Sequence, residues 1–211
     1  MYKTSDSIIP YPMMRSRLDT FTIINCVHKD LFWKLIGHTA VLYKCPLTEQ
    51  LLVFESTTLN KYTGKSGVQL IPFGLWLSKY PGKVYARLPR FNDSRGDGKD
   101  HKYWRDKKAE EFIRVHLGTS YPDIKSWSGK MKLAFAALDF KLFGVDLFTY
   151  KGDDSGIFCT MLVIMLLDFC GIIEDAVDAK EFEPDDTRKP NNKFDELLAE
   201  WASYGPEVRL K

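Results

Sequence analysis

From Ile157 to Leu167 the chain is one apolar run that stops at Asp168. Its eleven residues fall well short of the ~20 that a membrane span needs. A helix that is apolar nearly all round is a core element, so the rest of the chain has to build a body around it. The composition allows that. Of 211 residues, 45% are hydrophobic and 14% aromatic, which excludes intrinsic disorder, and a chain this long buries a core without disulfides or metals. The four cysteines, Cys26, Cys45, Cys159 and Cys170, form no C-x-x-C pair, so zinc-ribbon and thioredoxin-like motifs are absent. The first twenty residues hold no apolar h-region, so no secretory signal is expected. We therefore expect a cytoplasmic protein with free thiols; a virion-associated place, or export by another route, is the alternative.

Around that run the spacing predicts strands first and helices later. Residues 1–17 read as an N-terminal extension, with Pro10 and Pro12 flanking Tyr11. Thr20–Cys26 is β-branched and reads as a strand, and Asp30–Ile36 as a short helix. His38–Tyr43 and Leu51–Glu55 form a hairpin around Lys44–Gln50. Val68–Ile71 and Val84–Leu88 are further strands, with a short helix opened by Pro72 and closed at Pro81-Gly82. Arg90–Lys108 reads as a charged loop. Helices follow over Asp106–Leu117, ending at Gly118, over Ser128–Gly144, from Asp153-Asp154-Ser155 to Gly171, and over Lys193–Ser203. Segregated α+β is the expected class, with one domain over 18–173 and an acidic C-terminal segment over 174–211. Residues 174–200 hold ten acids against four bases, in a chain whose net charge is +2. The plain reading is a solvated acidic segment; the sharper one is a basic remainder that would attract an anionic partner. That charge makes no case for nucleic acid.

Cys159 is the candidate nucleophile. It sits in the first turn of its helix, where the macrodipole and free backbone N–H groups favour a thiolate. Asp153, Asp154 and Ser155 are candidate caps. A buried, inert cysteine is the plainer reading, since free cysteine is among the most buried residue types. Cys170 lies three turns on, too far for a disulfide within one helix, and is assigned to the core. A thiol nucleophile needs a base in reach and an orienting group for that base. Of the four histidines, His101 reads as solvated, His116 as packing and His28 as a strand-end residue. His38 opens a strand of the hairpin. With the turn centred between Pro46 and Leu47, His38 faces Glu55, Ala40 faces Val53 and Leu42 faces Leu51. Opposed Cβ atoms lie about 5 Å apart. A carboxylate there holds one imidazole nitrogen and leaves the other for the thiol. A one-residue slip would put Glu55 on the other face.

Taken in order, Gly37-His38-Thr39-Ala40-Val41, Val53-Phe54-Glu55-Ser56, Gly67-Val68, Val84-Tyr85-Ala86-Arg87, Gly118-Thr119-Ser120-Tyr121 and Phe158-Cys159-Thr160-Met161-Leu162-Val163 resemble the circularly permuted, YiiX-like branch of the NlpC-type papain-like cysteine hydrolases. The resemblance covers roughly residues 20 to 173. It implies an antiparallel sheet packed against the cysteine helix, with Cys159 as nucleophile, His38 as base and then acid, and Glu55 as orienting group. It implies no metal or cofactor. Its substrates would be peptides, cell-wall peptides or acyl lipids. The chain departs from the family in having Cys159-Thr160-Met161 where Cys-Ser-Glu is common, and Ile36-Gly37 where a Ser or Tyr often precedes the histidine. A non-catalytic module of the same fold, in a phage or bacterial assembly, is the alternative reading. Arg95-Gly96-Asp97 reads as a chance match. The stretch from Asp93 to Gly98 fails as a calcium loop, because Arg95 and Trp104 stand where ligands are needed. No phosphate-binding glycine motif occurs. Trp76, Tyr80, Tyr103, Trp104 and Trp127 read as packing residues, some of which would line a groove.

Overall fold

The computed structural model describes residues 7–29, 37–58, 64, 66–93, 100–121, 158–173, 178–179, 182, 184–188 and 193–211. The helices expected over Asp30–Ile36 and Ser128–Gly144, and the caps Asp153 to Ser155, lie outside the described residues. A short helix α1 (Tyr11–Met14) precedes strands β1 (Ile23–His28), β2 (His38–Lys44), β3 (Leu51–Thr57) and β4 (Gly67–Pro72). Helix α2 (Phe73–Lys79) leads to β5 (Gly82–Arg87) and β6 (Pro89–Phe91), then to helices α3 (His101–His116) and α4 (Cys159–Phe169). A 3-10 turn (Pro184–Thr187), helix α5 (Lys193–Glu196) and strands β7 (Ala202–Tyr204) and β8 (Val208–Arg209) complete the chain. The fold is α+β. An antiparallel six-stranded sheet runs β4-β3-β2-β1-β5-β8, and β6 pairs with β7 alongside it.

Both faces of the sheet are covered, which is why its central strands read as nearly continuous apolar runs. On one face Ile23, Val41, Tyr43, Phe54 and Val68 pack with Ala109, Phe112 and Ile113 of α3 and with Leu162, Val163 and Leu166 of α4. On the other, Ile24, Ala40, Leu42, Val53 and Ile71 pack with Phe73, Trp76 and Leu77 of α2 and with Met14 and Leu18. The N-terminal stretch is thus part of the second core, with Met14 and Leu18 buried. The apolar run of α4 is consumed by the first, as its composition demands.

Three expectations change. The β2–β3 register is Val41↔Phe54, Leu42↔Val53 and Lys44↔Leu51, so Glu55 does not sit directly opposite His38. The turn centres one residue later than expected. Pro46, which has no N–H to place, enters the turn directly after Cys45, and the Glu49 N–H closes a five-residue turn on the Cys45 carbonyl at 2.8 Å. The resulting shift of two residues preserves face parity. His38 and Glu55 remain on one side of the sheet as diagonal neighbours, within reach of long side chains.

Helix α3 starts at His101, not near Asp106, so the second half of the expected charged loop is helical. Asp100 caps it by accepting from the Tyr103 N–H at 2.9 Å. Its buried stripe begins with Arg105, which hides the first turn from an apolar periodicity. Arg105 forks onto Asp93 and lies over the rings of Phe91 and Trp201.

The last helix, expected to reach Ser203, ends at Glu196. Beyond it, pairing takes over: the Ala199 N–H donates to the Ile172 carbonyl at 2.9 Å, and Ala202–Tyr204 pair with Pro89–Phe91. The Trp201 ring lies tilted against Phe91, 5.7 Å between centroids, instead of continuing a helical stripe. The C-terminal segment then adds β8 to the main sheet.

Gly67 opens β4 with φ at 107°, and an added Cβ would lie 2.3 Å from the Thr119 carbonyl oxygen. That carbonyl accepts from the Val68 N–H. Gly67→Ala therefore combines a backbone conformation costing ~1–2 kcal/mol with displacement of a paired segment. We expect Tm to fall by roughly 2–8 °C in a thermal melt.

Candidate functional site

His38, Glu55 and Cys159 come from β2, β3 and the first residue of α4, and they meet at one end of the sheet. His38 Nε2 lies 2.9 Å from Glu55 Oε2. Cys159 and His38 are close enough that each shifts the titration of the other. The Thr39 backbone N–H also reaches Sγ, and Thr160 Oγ1 stands 3.9 Å away. The His38 side chain is 16% exposed and that of Glu55 4%. The chain of contacts thus opens to solvent at the imidazole rather than at the carboxylate.

Sheet pairing explains how the histidine is delivered. His38 is the first residue of β2 and pairs with Cys26 on β1, so its ring stands at the strand end, where it reaches both Glu55 and the start of α4. Cys159 follows Phe158, which is extended and makes no side-chain cap bond of its own; the candidate caps Asp153, Asp154 and Ser155 lie outside the described residues. The first bond inside the helix runs from the Leu162 N–H to the Phe158 carbonyl at 2.9 Å. The amides of Cys159, Thr160 and Met161 precede it and carry the positive end of the dipole.

The electrostatics follow from these contacts. Burial alone would push the Cys159 thiol up. The hydrogen bond and charge of His38, with the Thr39 N–H and the Thr160 hydroxyl, outweigh it and hold the thiol below its ordinary value. Burial likewise pushes His38 down, but hydrogen bonds to Cys159 and Glu55, and their charges, raise it to about 10. Each group thus favours the charged form of the other. Cys26, directly across from His38, behaves oppositely. Burial, with the Glu55 charge, raises its thiol well above the ordinary value, the reverse of the shift at Cys159. Cys170 is 5% exposed in the core, and burial pushes it up to about 12.

The remaining histidines stand apart. His116 stacks on Phe112 and contacts its carbonyl oxygen at 2.9 Å through Nδ1. His28 meets the edge of Tyr80, and His101 begins α3. The residue that spacing did not single out is Trp76. Its Nε1–H donates to Glu55 Oε2 at 3.0 Å, so an indole assigned to packing joins the polar chain. A tryptophan at core spacing looks the same whether or not its N–H has such a partner.

No protein-family model and no curated protein matches the chain. Among solved structures it is similar to the crystal structure of metalloprotein yiiX from Escherichia coli O157:H7, at 17% identity and a TM-score of 0.40, over 90% of this chain and 98% of that one. Among the described residues, no group of three or more His, Cys, Asp and Glu is placed to hold a metal ion, and no helix is long and apolar enough to cross a membrane.

Proposed function

We propose that this protein is a cysteine hydrolase of the circularly permuted papain-like kind, acting by acyl transfer. The observation that carries the reading is the 2.9 Å contact of His38 with Glu55, beside a Cys159 thiol that His38 holds below its ordinary value. In this reading the Cys159 thiolate attacks an amide or ester carbonyl carbon. The carbonyl π electrons move to oxygen, where the first-turn amides of α4 face the developing charge. The tetrahedral adduct collapses as the His38 imidazolium passes its proton to the leaving amine or alcohol, and an acyl thioester remains on Cys159. Neutral His38 then takes a proton from water as the water oxygen attacks the thioester. Collapse expels the Cys159 thiolate and releases the acid, with the proton back on His38. Glu55 keeps the ring aligned and stabilises its charged form. Peptides, cell-wall peptides and acyl lipids are the substrate classes that the sequence resemblance implies.

The test is a panel of peptide, isopeptide and ester substrates, with intact-mass detection of an acyl adduct on Cys159. An adduct that forms and decays with turnover supports the reading; turnover with no adduct opposes it. The pH profile of kcat/KM is expected to be bell-shaped. Its acid limb reports reprotonation of the thiolate, below the free-thiol value of ~8.5. Its alkaline limb, near pH 10, reports loss of the His38 proton. A profile that only rises through the ordinary thiol range contradicts the pairing.

A further inference from the structure

Glu55 is held from two directions on a single oxygen. Oε2 meets His38 Nε2 at 2.9 Å and accepts from Trp76 Nε1–H at 3.0 Å. The indole itself is fixed. Trp76 is 3% exposed and lies between two rings, with Phe73 at 6.2 Å and Tyr80 at 4.9 Å, both tilted by only 26°. All three rings belong to α2 or its C-terminal cap, the layer on the sheet face that Glu55 shares.

We propose that Trp76 is a positioning residue, whose indole N–H locks the Glu55 carboxylate against His38 and so keeps the imidazole aligned on the Cys159 sulfur. The terminal torsion of a glutamate is broad and roughly two-fold, so the carboxylate has no intrinsic preference for the plane it needs. Two donors converging on one oxygen supply that preference. An indole clamped in a stack loses little freedom in making its bond, whereas a hydroxyl or amide on a mobile side chain would. A phenylalanine would fill the same stack but bring no donor. The catalytic consequence rests on the proposed function; the positioning of the carboxylate does not.

The test compares Trp76→Phe with Phe73→Leu, which loosens the same stack but leaves the indole N–H in place. The readouts are the His38 ring-proton titration by NMR, and kcat and KM on a substrate the wild type accepts. Trp76→Phe is expected to lower the His38 midpoint by about 1–2 pH units and to cut kcat by roughly 10–100-fold with KM little changed. Phe73→Leu should keep the wild-type midpoint. An unshifted midpoint in Trp76→Phe, or an equal shift in Phe73→Leu, overturns the proposal. Should Trp76→Phe fail to fold, the wild-type indole N–H resonance of Trp76 serves instead: it should titrate together with His38, and a flat response overturns the proposal. A wild-type His38 midpoint near the ordinary ~6.5 removes the paired thiolate, and with it the proposed function. A raised wild-type midpoint that Trp76→Phe leaves untouched removes only the role of Trp76.

Discussion

Cys159→Ala should lower kcat/KM on any accepted amide or ester by roughly 10^4-fold or more, the scale seen when a nucleophile is deleted from a nucleophile–base pair. The fold should survive. Cys159 is the first residue of α4, and the change deletes one sulfur, so the expected penalty is on the order of 1 kcal/mol. The His38 ring would lose the thiolate that helps hold its proton, so its midpoint should fall from about 10 while the Glu55 contact persists. Kinetics and a thermal melt on the same sample separate the outcomes. A large rate loss with a near-normal melt identifies the sulfur as the reacting atom. Unchanged turnover on the same substrate places the chemistry elsewhere. A wild type inactive across the panel favours a non-catalytic module of this fold.

Arg87→Ala should be the most damaging change to stability. Arg87 is 0% exposed and every arm of its guanidinium is used. Nε donates to the Gly205 carbonyl at 3.1 Å and Nη1 to the Thr187 carbonyl at 2.9 Å. Nη2 reaches both Asp195 oxygens, at 2.9 and 3.1 Å. The rings of Phe194 and Tyr204 flank it. One cation at the end of β5 thus ties down the C-terminal segment. Truncation leaves two carbonyls and a largely buried carboxylate without this donor. Breaking a buried pair in this way costs about 3–5 kcal/mol, or roughly 6–20 °C in Tm for a chain of this size. Asp195→Asn should cost less, because it keeps an acceptor oxygen for Nη2. A melt of Arg87→Ala within a few degrees of wild type would show that the segment is held by apolar packing alone.

What could be read from the sequence was governed by local rules. Alternating and β-branched runs located the strands that carry His38 and Glu55, and the uncharged stretch after Phe158 located the helix that carries Cys159. The shared face of His38 and Glu55 was legible because parity survives a shift of two residues, even though the turn at Pro46 moved the register. The illegible parts depend on contacts distant in the chain. Arg105 is buried at a helix start because Asp93, Phe91 and Trp201 receive it, and no local pattern announces that. The chain after Glu196 leaves its helix because β6 and Ile172 offer partners. The bond from Trp76 to Glu55 depends on where α2 crosses β3, which spacing within either element cannot encode.

The pairing of Cys159 with His38 is read most directly from the pH dependence of Cys159 alkylation by iodoacetamide, followed by peptide mass analysis in wild type and in His38→Ala. The expected wild-type midpoint lies well below the free-thiol value of ~8.5, and returns toward or above that value when His38 is removed. A wild-type midpoint at or above the ordinary thiol value, indifferent to His38, would contradict the pairing.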